Sequence, residues 1–359
     1  MSVALLRGEN LRLYKKFQIE PHPVLNLILG DNAAGKTSLL EALFLTARGR
    51  SFRAQNLAEV CGPAQAGWNA FVETRNESDI HKLGIGWTRD GTEMRLDQIK
   101  GVRIAEVVKA MPLQLIEPLS HRLLEEGPSY RRSFVDWGVF HVEHRFLEVW
   151  RRCQRALKQR NKSLREALPG KAVSAWNREL VESSIELTAM RQAHVAEAAP
   201  IFQKEVADML EQGRARLEWN QGWPADQDYA ELLERNLAQH QRLGTTVQGP
   251  HRAELKITLA DAKAKGRVSR GQQKMLVSAM VLAQAQVLRA HGVSAPVLLL
   301  DDFASELAPE FQNRLANALG RYPGQKFVTA FSMPDAFADG DSKMFHVEHG
   351  TVRQTDAIH

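Results

Sequence analysis

The sequence contains very few cysteines and no long apolar run. Cys61 and Cys153 are its two cysteines, and they lie far apart without a CxxC pair. This spacing argues against a disulfide framework and a thiolate zinc site, and it is typical of a reducing cytoplasm. No segment approaches the ~18 uninterrupted apolar residues of a membrane span, and the alternating N-terminus is unlike a signal peptide. We therefore expect a cytoplasmic protein with no membrane segment.

The charge balance is basic, while the rest of the composition is ordinary. Hydrophobic residues make up 44% of the chain and charged residues 25%, as in a soluble globular protein. The 359 residues suit one large domain or two ordinary domains. The formal net charge is +5 and the isoelectric point is near 9.2. This balance favours an acidic partner, with nucleic acid ahead of anionic lipid.

A phosphate-binding loop stands near the N-terminus, in the stretch VLNLILGDNAAGKTSLLEALFL. An apolar run ends at Leu29, and the pattern GxxxxGK[ST] then opens an amphipathic helix, as such a loop requires. Backbone amides would cradle phosphate oxygens, Lys36 would reach the β and γ oxygens, and the Thr37 hydroxyl would bind Mg²⁺. The predicted nucleotide-binding residues are Gly30, Asp31, Asn32, Ala33, Ala34, Gly35, Lys36, Thr37 and Ser38.

A second acidic motif, APVLLLDDFASEL, follows a continuous apolar run that is typical of a buried parallel strand. Asp301 would hold Mg²⁺ through water, and Asp302 would orient or deprotonate an attacking water molecule. The alternative is an ordinary turn at the end of a strand. Together with Lys36, however, the pair predicts a catalytic site for nucleotide hydrolysis, in which Asp302 and Lys36 are the catalytic residues.

The two motifs lie about 265 residues apart, much further than one βαβ unit needs. We therefore predict a head built from residues 1–142 and 245–359, interrupted by an inserted helical domain at 143–244. Helical periodicity dominates the insert, with turns at LPGK and GWPADQD. The sequence leaves two forms open: antiparallel helices that project from the head, or a compact helical domain.

The first helix of this insert is strongly basic. Residues 145–165 contain eight Lys or Arg against the single acid Glu148. Such a run is most often a solvated face, and the alternative is a contact with the DNA backbone. The candidate DNA-binding residues are Arg151, Arg152, Arg155 and Lys158. The motif HVEH occurs twice, but its second copy lies in a strand-like stretch where the two histidines face opposite sides, which argues against a metal site.

The stretch KGRVSRGQQKMLVSAMVLAQAQVL combines a polar entrance with a long amphipathic helix. Ser269 suits the N-cap, Gly271 allows close approach to the backbone, and Arg270 and Lys274 place cations where the helix dipole is already positive. This entrance is either an ordinary N-cap or part of a phosphate site.

The order of these motifs resembles the ATP-binding-cassette-type heads of the structural-maintenance-of-chromosomes (SMC) and Rad50 group, and within it the RecF family. The resemblance covers nearly the whole chain and is carried by EGPSYRRSFVDWGVF, VQGPHRAEL, VSRGQQKML and LLLDDFASEL. The chain departs from the pattern at Ala308, where family members usually carry Asp. It also has Ser332 near the position of the switch histidine of transporter relatives, which implies slow hydrolysis.

The resemblance implies an α/β fold: an ABC-type P-loop ATPase head, with a mixed sheet and flanking helices, and an inserted α-helical lid or arm domain. It implies that the signature residues Ser269, Arg270, Gly271 and Gln272 face the γ-phosphate bound by a second subunit. Gln114 would link Mg²⁺ to the helical region.

The resemblance also implies a function. It implies a weak, DNA-dependent ATPase that closes as a homodimer with ATP and Mg²⁺ on duplex DNA. Its role would be recombinational repair at gaps and junctions of single- and double-stranded DNA. RecR and RecO would be its partners in loading RecA, and the protein would lie in the cytoplasm at the nucleoid.

Three rival functions remain open from sequence. A transporter ATPase subunit would need a membrane partner and has a shorter helical insertion than this chain. A clamp that binds ATP without hydrolysing it would show no ATP turnover, so Asp302→Asn would cause no loss of activity. A P-loop enzyme that phosphorylates a small molecule would work as a monomer and would need no signature helix.

Overall fold

The computed structural model describes residues 1–63, 65–76, 79–211, 214–260, 262–264, 266, 268–337 and 341–355. The chain forms two compact units. The first comprises Met1–Ser120, Arg270–Val281 and Ser294–His359, and the second comprises His121–Ser269 and Leu282–Val293. The second unit contains the whole range 143–244, for which the sequence predicts an inserted domain. The limits of that domain stay a prediction.

The elements are numbered along the chain. The strands are β1 (Ser2–Leu11), β2 (Tyr14–Ile19), β3 (Leu25–Leu29), β4 (Gly67–Arg75), β5 (Ile80–Thr88), β6 (Gly91–Leu96), β7 (Ile99–Lys100), β8 (Leu113–Ile116), β9 (Ala215–Asn220), β10 (Glu254–Leu259), β11 (Ala262–Lys263), β12 (Val297–Leu300), β13 (Lys326–Ala330), β14 (Ser342–Glu348) and β15 (Thr351–Thr355). The helices are α1 (Lys36–Arg48), α2 (Ile104–Ala110), α3 (Arg122–Glu125), α4 (Pro128–Val142), α5 (Phe146–Arg165), α6 (Gly170–Ser174), α7 (Asn177–Leu210), α8 (Tyr229–Arg235), α9 (Leu237–Leu243), α10 (Arg270–Ala290) and α11 (Pro309–Arg321).

A mixed sheet with the strand order β15-β14-β3-β13-β12-β8 forms the base of the first unit. Strands β14, β3, β13, β12 and β8 run parallel, and β15 pairs antiparallel at the edge. All residues of β12 are buried, as its continuous apolar run predicts. Because β3 and β12 are both parallel to β13, which lies between them, the residues that follow them meet at one edge of the sheet. The predicted α/β fold with a mixed sheet is confirmed.

The antiparallel sheet of the first unit has the order β2-β1-β4-β5-β6-β7. Helix α1 contacts strands of both sheets, and its residues from Ser38 to Ala47 are all buried. The sequence predicts an amphipathic helix here, but a helix covered by two sheets is buried all round. This position anchors α1, which begins at the end of the phosphate loop, in the core of the unit.

The second unit is not wholly helical, which corrects the prediction for 143–244. Strand β9 pairs antiparallel with β10, and alternate residues of β9 are buried. Helix α7 also continues through Pro200, a residue type that usually ends or kinks a helix. An internal proline costs a helix about 3 kcal/mol, and α7 buries Val195 before it and Phe202 after it. Burial of these apolar side chains on both sides of the proline offsets the lost hydrogen bond.

Helices α5 and α7 pack against each other. Cys153 is buried between them, with its Sγ 3.7 Å from Oγ of Ser184. Burial raises the pKa of the Cys153 thiol, so it stays protonated and packs as a small apolar side chain. Within the described part of the chain, every helix is too short or too polar to cross a lipid bilayer.

Candidate functional site

The phosphate loop joins β3 to α1, and two of its glycines have conformations that exclude side chains. Gly30 has φ +146° and Gly35 has φ +120°, both in the region that favours glycine. A Cβ atom on Gly30 would lie 2.2 Å from the carbonyl oxygen of Val347, and one on Gly35 would lie 2.9 Å from Oη of Tyr14. The glycines of the motif therefore allow the loop to lie tightly against β14 and Tyr14.

Lys36 folds back over the loop that precedes it. Its Nζ donates hydrogen bonds to the carbonyl oxygens of Gly30, at 2.6 Å, and Asp31, at 2.8 Å. Burial lowers the pKa of Lys36, and the nearby carboxylates of Asp302, Asp301 and Asp31 oppose that shift. The ammonium group is thus held at the loop by two neutral acceptors that a phosphate can replace.

Asp301 is buried at the end of β12 and accepts two hydroxyl hydrogen bonds on Oδ1. Thr37 Oγ1 donates at 2.9 Å and Thr329 Oγ1 at 2.8 Å. Burial raises the pKa of Asp301, and the two hydroxyl bonds oppose the rise. The structure therefore brings together Thr37 and Asp301, the two residues that the sequence assigns to Mg²⁺.

Thr329 is a component of this site that sequence reasoning missed. Besides donating to Asp301, its Oγ1 accepts a hydrogen bond of 2.8 Å from the backbone N–H of Asp302. The Asp302 side chain is exposed, and its backbone has φ +53°, an uncommon conformation for a residue other than glycine. The sequence signal for Thr329 is a single hydroxyl in the buried strand β13, whose other polar residue is Lys326.

These residues line one cavity of about 490 Å³ in the first unit. The lining residues are Arg12, Leu13, Asp31, Asn32, Ala33, Gly35, Lys36, Thr37, Ser38, Arg53, Cys61, Pro63, Pro118, Asp301, Asp302 and Thr329. The donor set fits a nucleoside triphosphate with Mg²⁺: a glycine cradle and a lysine for phosphate, and a hydroxyl and a carboxylate for the metal. Among the described residues, no three His, Cys, Asp or Glu side chains form a group able to hold a metal ion. A metal held partly by phosphate needs no such group.

Arg12 forms one wall of the cavity and was also missed from sequence. It donates to Glu41 from Nε at 2.8 Å and from Nη2 at 2.7 Å, and Glu41 is fully buried in α1. The hydrogen bond to Glu41 raises the pKa of Arg12. Because its charge is already paired, Arg12 shapes this wall as a fixed planar group.

Gln114 lies apart from these residues. It is a buried residue of β8 paired with Leu298, whereas Asp301 follows the end of β12, and Gln114 does not line the cavity. Its assignment to Mg²⁺ gains no support from this geometry and stays a prediction. Pro118, further along the same segment, is the residue that reaches the cavity.

The signature segment begins α10. Ser269 and Arg270 are exposed, Gln272 is half-buried and Gly271 is buried. Their assignment to the γ-phosphate of a second subunit stays a prediction. Lys274, by contrast, does not offer its charge to an anion, because it is only 3% exposed and binds backbone carbonyl oxygens. Burial lowers its pKa to about 8.

The basic helix α5 presents one exposed row of cations. Its members recur every three or four residues and therefore share a face: they are Arg151, Arg155, Lys158, Lys162 and Arg165. The row extends over about 21 Å at 1.5 Å per residue. Arg165 was missed as a candidate, and Lys162 pairs with Glu166. Arg152 lies off the row, with Nε 2.7 Å from Oε1 of Glu179.

Comparison with known proteins identifies the family. The sequence profile described as the RecF/RecN/SMC N-terminal domain matches residues 2–353. A DNA replication and repair protein RecF of Pseudomonas aeruginosa strain UCBPP-PA14 is 39% identical over 366 aligned positions, covering 100% of this chain and 99% of the relative. The RecF of Shewanella amazonensis is 35% identical, covering 99% of this chain and 100% of the relative.

Solved structures agree on the fold. A structure described as the recombination mediator protein RecF with ATP in the RecFOR pathway has a TM-score of 0.85 at 23% identity, covering 99% of this chain and 98% of that one. An SMC head domain derived from Pyrococcus furiosus has a TM-score of 0.64 at 14% identity, covering 99% and 96%. By its sequence motifs, its matched profile and its relatives over their full length, the chain belongs to the RecF family of DNA replication and repair proteins.

Proposed function

We propose that this chain is an ATP-dependent, DNA-binding recombinational repair protein that acts as a weak ATPase. The observation that carries the proposal is the meeting of Lys36, Thr37, Asp301 and Asp302 in one cavity of a RecF-family chain. RecF relatives are described as replication and repair proteins, and a solved RecF with ATP is placed in the RecFOR pathway. The proposed role is to help load RecA at gaps and single-strand to double-strand junctions, with RecO and RecR, at the nucleoid.

The nucleotide would be held mainly by the loop from Gly30 to Ser38. Lys36 would exchange its carbonyl acceptors for phosphate oxygens, and Thr37 and Asp301 would hold Mg²⁺. Bound Mg²⁺ neutralises phosphate charge and fixes its orientation. The exposed carboxylate of Asp302 would orient the attacking water or accept its proton.

The proposed switch is dimer closure driven by ATP. Ser269 to Gln272 would complete the site of a second subunit, so bound nucleotide would favour the closed dimer by its higher affinity for that state. Hydrolysis removes this contribution, which would make closure on duplex DNA reversible.

A measurement of mass tests closure. We expect the Asp302→Asn chain to double from 40.3 kDa in light scattering when ATP and Mg²⁺ are added. Adding Ser269→Arg should abolish the doubling because a long cation would occupy the interface, while ATP binding survives. Ser133→Arg, at an exposed position of α4, is the control and should still dimerise. A constant mass at saturating ATP would contradict the closure mechanism.

The cationic row of α5 is the proposed contact with DNA phosphates. Arg151, Arg155, Lys158 and Arg165 form no ion pair with a described residue, whereas Arg152 pairs with Glu179. This distinction removes Arg152 from the candidate contacts and adds Arg165, whereas Lys162 pairs with Glu166 at 3.7 Å and is not added. Charges that are not locally neutralised are the ones able to replace counterions along a DNA backbone.

Charge reversal tests this surface. Arg155→Glu with Lys158→Glu should weaken duplex binding by roughly tenfold or more. The plot of log affinity against log salt has a negative slope, and its magnitude should fall by about 2, near one unit per lost contact. Binding should weaken equally for unrelated DNA sequences. The control is Arg178→Glu with Lys204→Glu, an equal charge change at exposed positions of α7. Equal losses in both pairs would mean that only net charge matters, and would remove the row as a contact.

A further inference from the structure

The first turn of α10 and the loop that follows β12 are joined by one buried lysine. Lys274 Nζ donates hydrogen bonds to the carbonyl oxygens of Asp302 at 2.7 Å, Phe303 at 3.1 Å and Ser305 at 3.0 Å. An ammonium group has three N–H donors and no acceptor, so these carbonyls use its full capacity. The loop from 302 to 306, here called the catalytic loop, carries the predicted catalytic carboxylate.

The catalytic loop needs such support because its backbone is strained. Asp302 has φ +53° and Glu306 has φ +66°, so two residues other than glycine lie in the left-handed region. Each such residue costs about 1–2 kcal/mol and persists only where surrounding contacts fix it. Within the loop, Ser305 N–H donates to the Asp302 carbonyl. Lys274 binds that same carbonyl together with two others.

Helix α10 also approaches this loop closely at Gly271. A Cβ atom added to Gly271 would lie 2.8 Å from the carbonyl oxygen of Glu306. From sequence, Gly271 allows close approach to the helix backbone. In the structure, the catalytic loop of the same chain makes such an approach. The first turn of the signature helix and the catalytic loop therefore form one packed body.

A continuous series of hydrogen bonds runs from Lys274 to the phosphate loop. The Asp302 backbone accepts from Lys274 on its carbonyl and donates from its N–H to Oγ1 of Thr329. Thr329 in turn donates to Asp301, which also accepts from Thr37. This series connects the first turn of α10 with the two aspartates.

We propose that Lys274 is a positioning residue that couples the signature helix of a chain to the catalytic carboxylate of the same chain. The inference rests on the proposed ATPase function and deepens it. Contact of the signature helix with a second subunit would then set the position of Asp302 in the first subunit's own site. The two nucleotide sites of a dimer would then be coupled through this lysine.

A second buried lysine provides a matched control for a purely structural role. Lys326 is 4% exposed in the same unit and donates to the carbonyl oxygen of Tyr322 at 2.8 Å. Burial lowers the pKa of both lysines. This side-chain hydrogen bond of Lys326 goes to Tyr322, outside the catalytic loop, so replacing Lys326 removes a buried ammonium without releasing that loop.

The experiment compares Lys274→Met with Lys326→Met by steady-state ATPase kinetics and by hydrogen exchange. We expect Lys274→Met to lower kcat by roughly 10- to 100-fold, because small misplacements of reacting groups have effects of this size. The Kd for ATP should stay within about twofold of wild type, since the phosphate loop is untouched. Exchange of the backbone amides of residues 302–307 should rise in Lys274→Met and stay unchanged in Lys326→Met.

Two outcomes would overturn the proposal: an unchanged kcat in Lys274→Met, or an equal loss in Lys326→Met. If Lys274→Met does not fold, Lys274→Gln decides by the same criteria, with a smaller expected loss because its amide keeps two donors. If wild type hydrolyses no ATP, the proposed function fails. Hydrogen exchange then still decides whether Lys274 holds the loop: a rise only in Lys274→Met supports it, and equal exchange rejects it.

Discussion

Replacing Asp302 with Asn is expected to lower ATP turnover by roughly 10²- to 10⁴-fold, the usual contribution of a positioned acid or base. ATP should remain bound with equal or higher affinity, because the substitution removes a negative charge near the phosphate site. The fold should survive because the hydrogen bonds of Asp302 with Thr329 and Lys274 are made by its backbone, which the substitution keeps. Single-turnover hydrolysis and nucleotide titration on the same protein measure the two quantities separately.

Asp31→Asn is the matched control for this prediction. Asp31 is an exposed carboxylate of the same cavity, and its charge also acts on Lys36. We expect its replacement to change turnover by less than about fivefold, since a weak electrostatic effect through solvent is all that it loses. If both variants lose turnover equally, the role of Asp302 is only electrostatic. If neither loses it, Asp302 is not the catalytic carboxylate.

Acid should destabilise the second unit between pH 6.5 and 4. Burial lowers the pKa of His194 and of His251 to about 4. Each ring has a buried Nδ1 with no hydrogen-bond partner among the residues described, so protonation would bury an unsatisfied N–H. The charges near His194 are Glu197 and His291, and those near His251 are Arg252, Arg132 and His240.

The sign follows from proton uptake. Between the folded pKa near 4 and the ordinary value of 6.5, the unfolded chain binds protons that the folded chain does not. The free energy of unfolding therefore falls as the pH drops. Linkage gives about 2 kcal/mol lost per histidine between pH 7 and pH 5. Urea unfolding at these two pH values measures the loss.

Replacing one histidine isolates its share from that of the carboxylates. His194→Gln, and separately His251→Gln, should each reduce the difference in unfolding free energy between pH 7 and pH 5 by about 2 kcal/mol. The comparison holds even if a variant is less stable at pH 7, because only the pH-dependent part is compared. If both variants show the same difference in unfolding free energy between pH 7 and pH 5 as wild type, burial does not keep either ring neutral.

The juxtaposition of Thr37 and Asp301 was predictable from sequence because each motif has a local geometry. One strand ends in a glycine loop, and another ends in paired aspartates. In a parallel sheet, both sets of residues then lie at the same carboxyl edge. The approximate location of the site therefore needed only the spacing of apolar and polar residues. Its hydrogen bonds did not follow from spacing.

Thr329 and Lys274 show what the sequence could not provide. Thr329 is one hydroxyl in an apolar strand, and its role depends on β13 lying beside β12. Lys274 has the spacing of a cation that awaits an anion at a helix start, yet its partners are carbonyls of a loop about thirty residues later. Both roles depend on tertiary neighbours, which local patterns do not encode.

The continuation of α7 through Pro200 has the same cause. Local propensity places a boundary at that residue, and burial on both sides of it reverses the local preference. The case of strand β9 is different, because the alternation of apolar and polar residues that is typical of a strand was present in the sequence. The longer helical periodicity on either side of it masked that signal.

The strand order of the parallel sheet has a consequence for synthesis on the ribosome. Strand β3 pairs on one side with β13 and on the other with β14, and Asn26 bonds Lys326 across 300 residues. At 5–20 residues per second, the strand that carries the phosphate loop waits roughly 15–60 s for either neighbour. During that interval an apolar strand with two open edges is a template for aggregation. The nascent chain therefore has no nucleotide site to stabilise it until synthesis has passed residue 326, and chaperones that shield strand edges would act before ATP can.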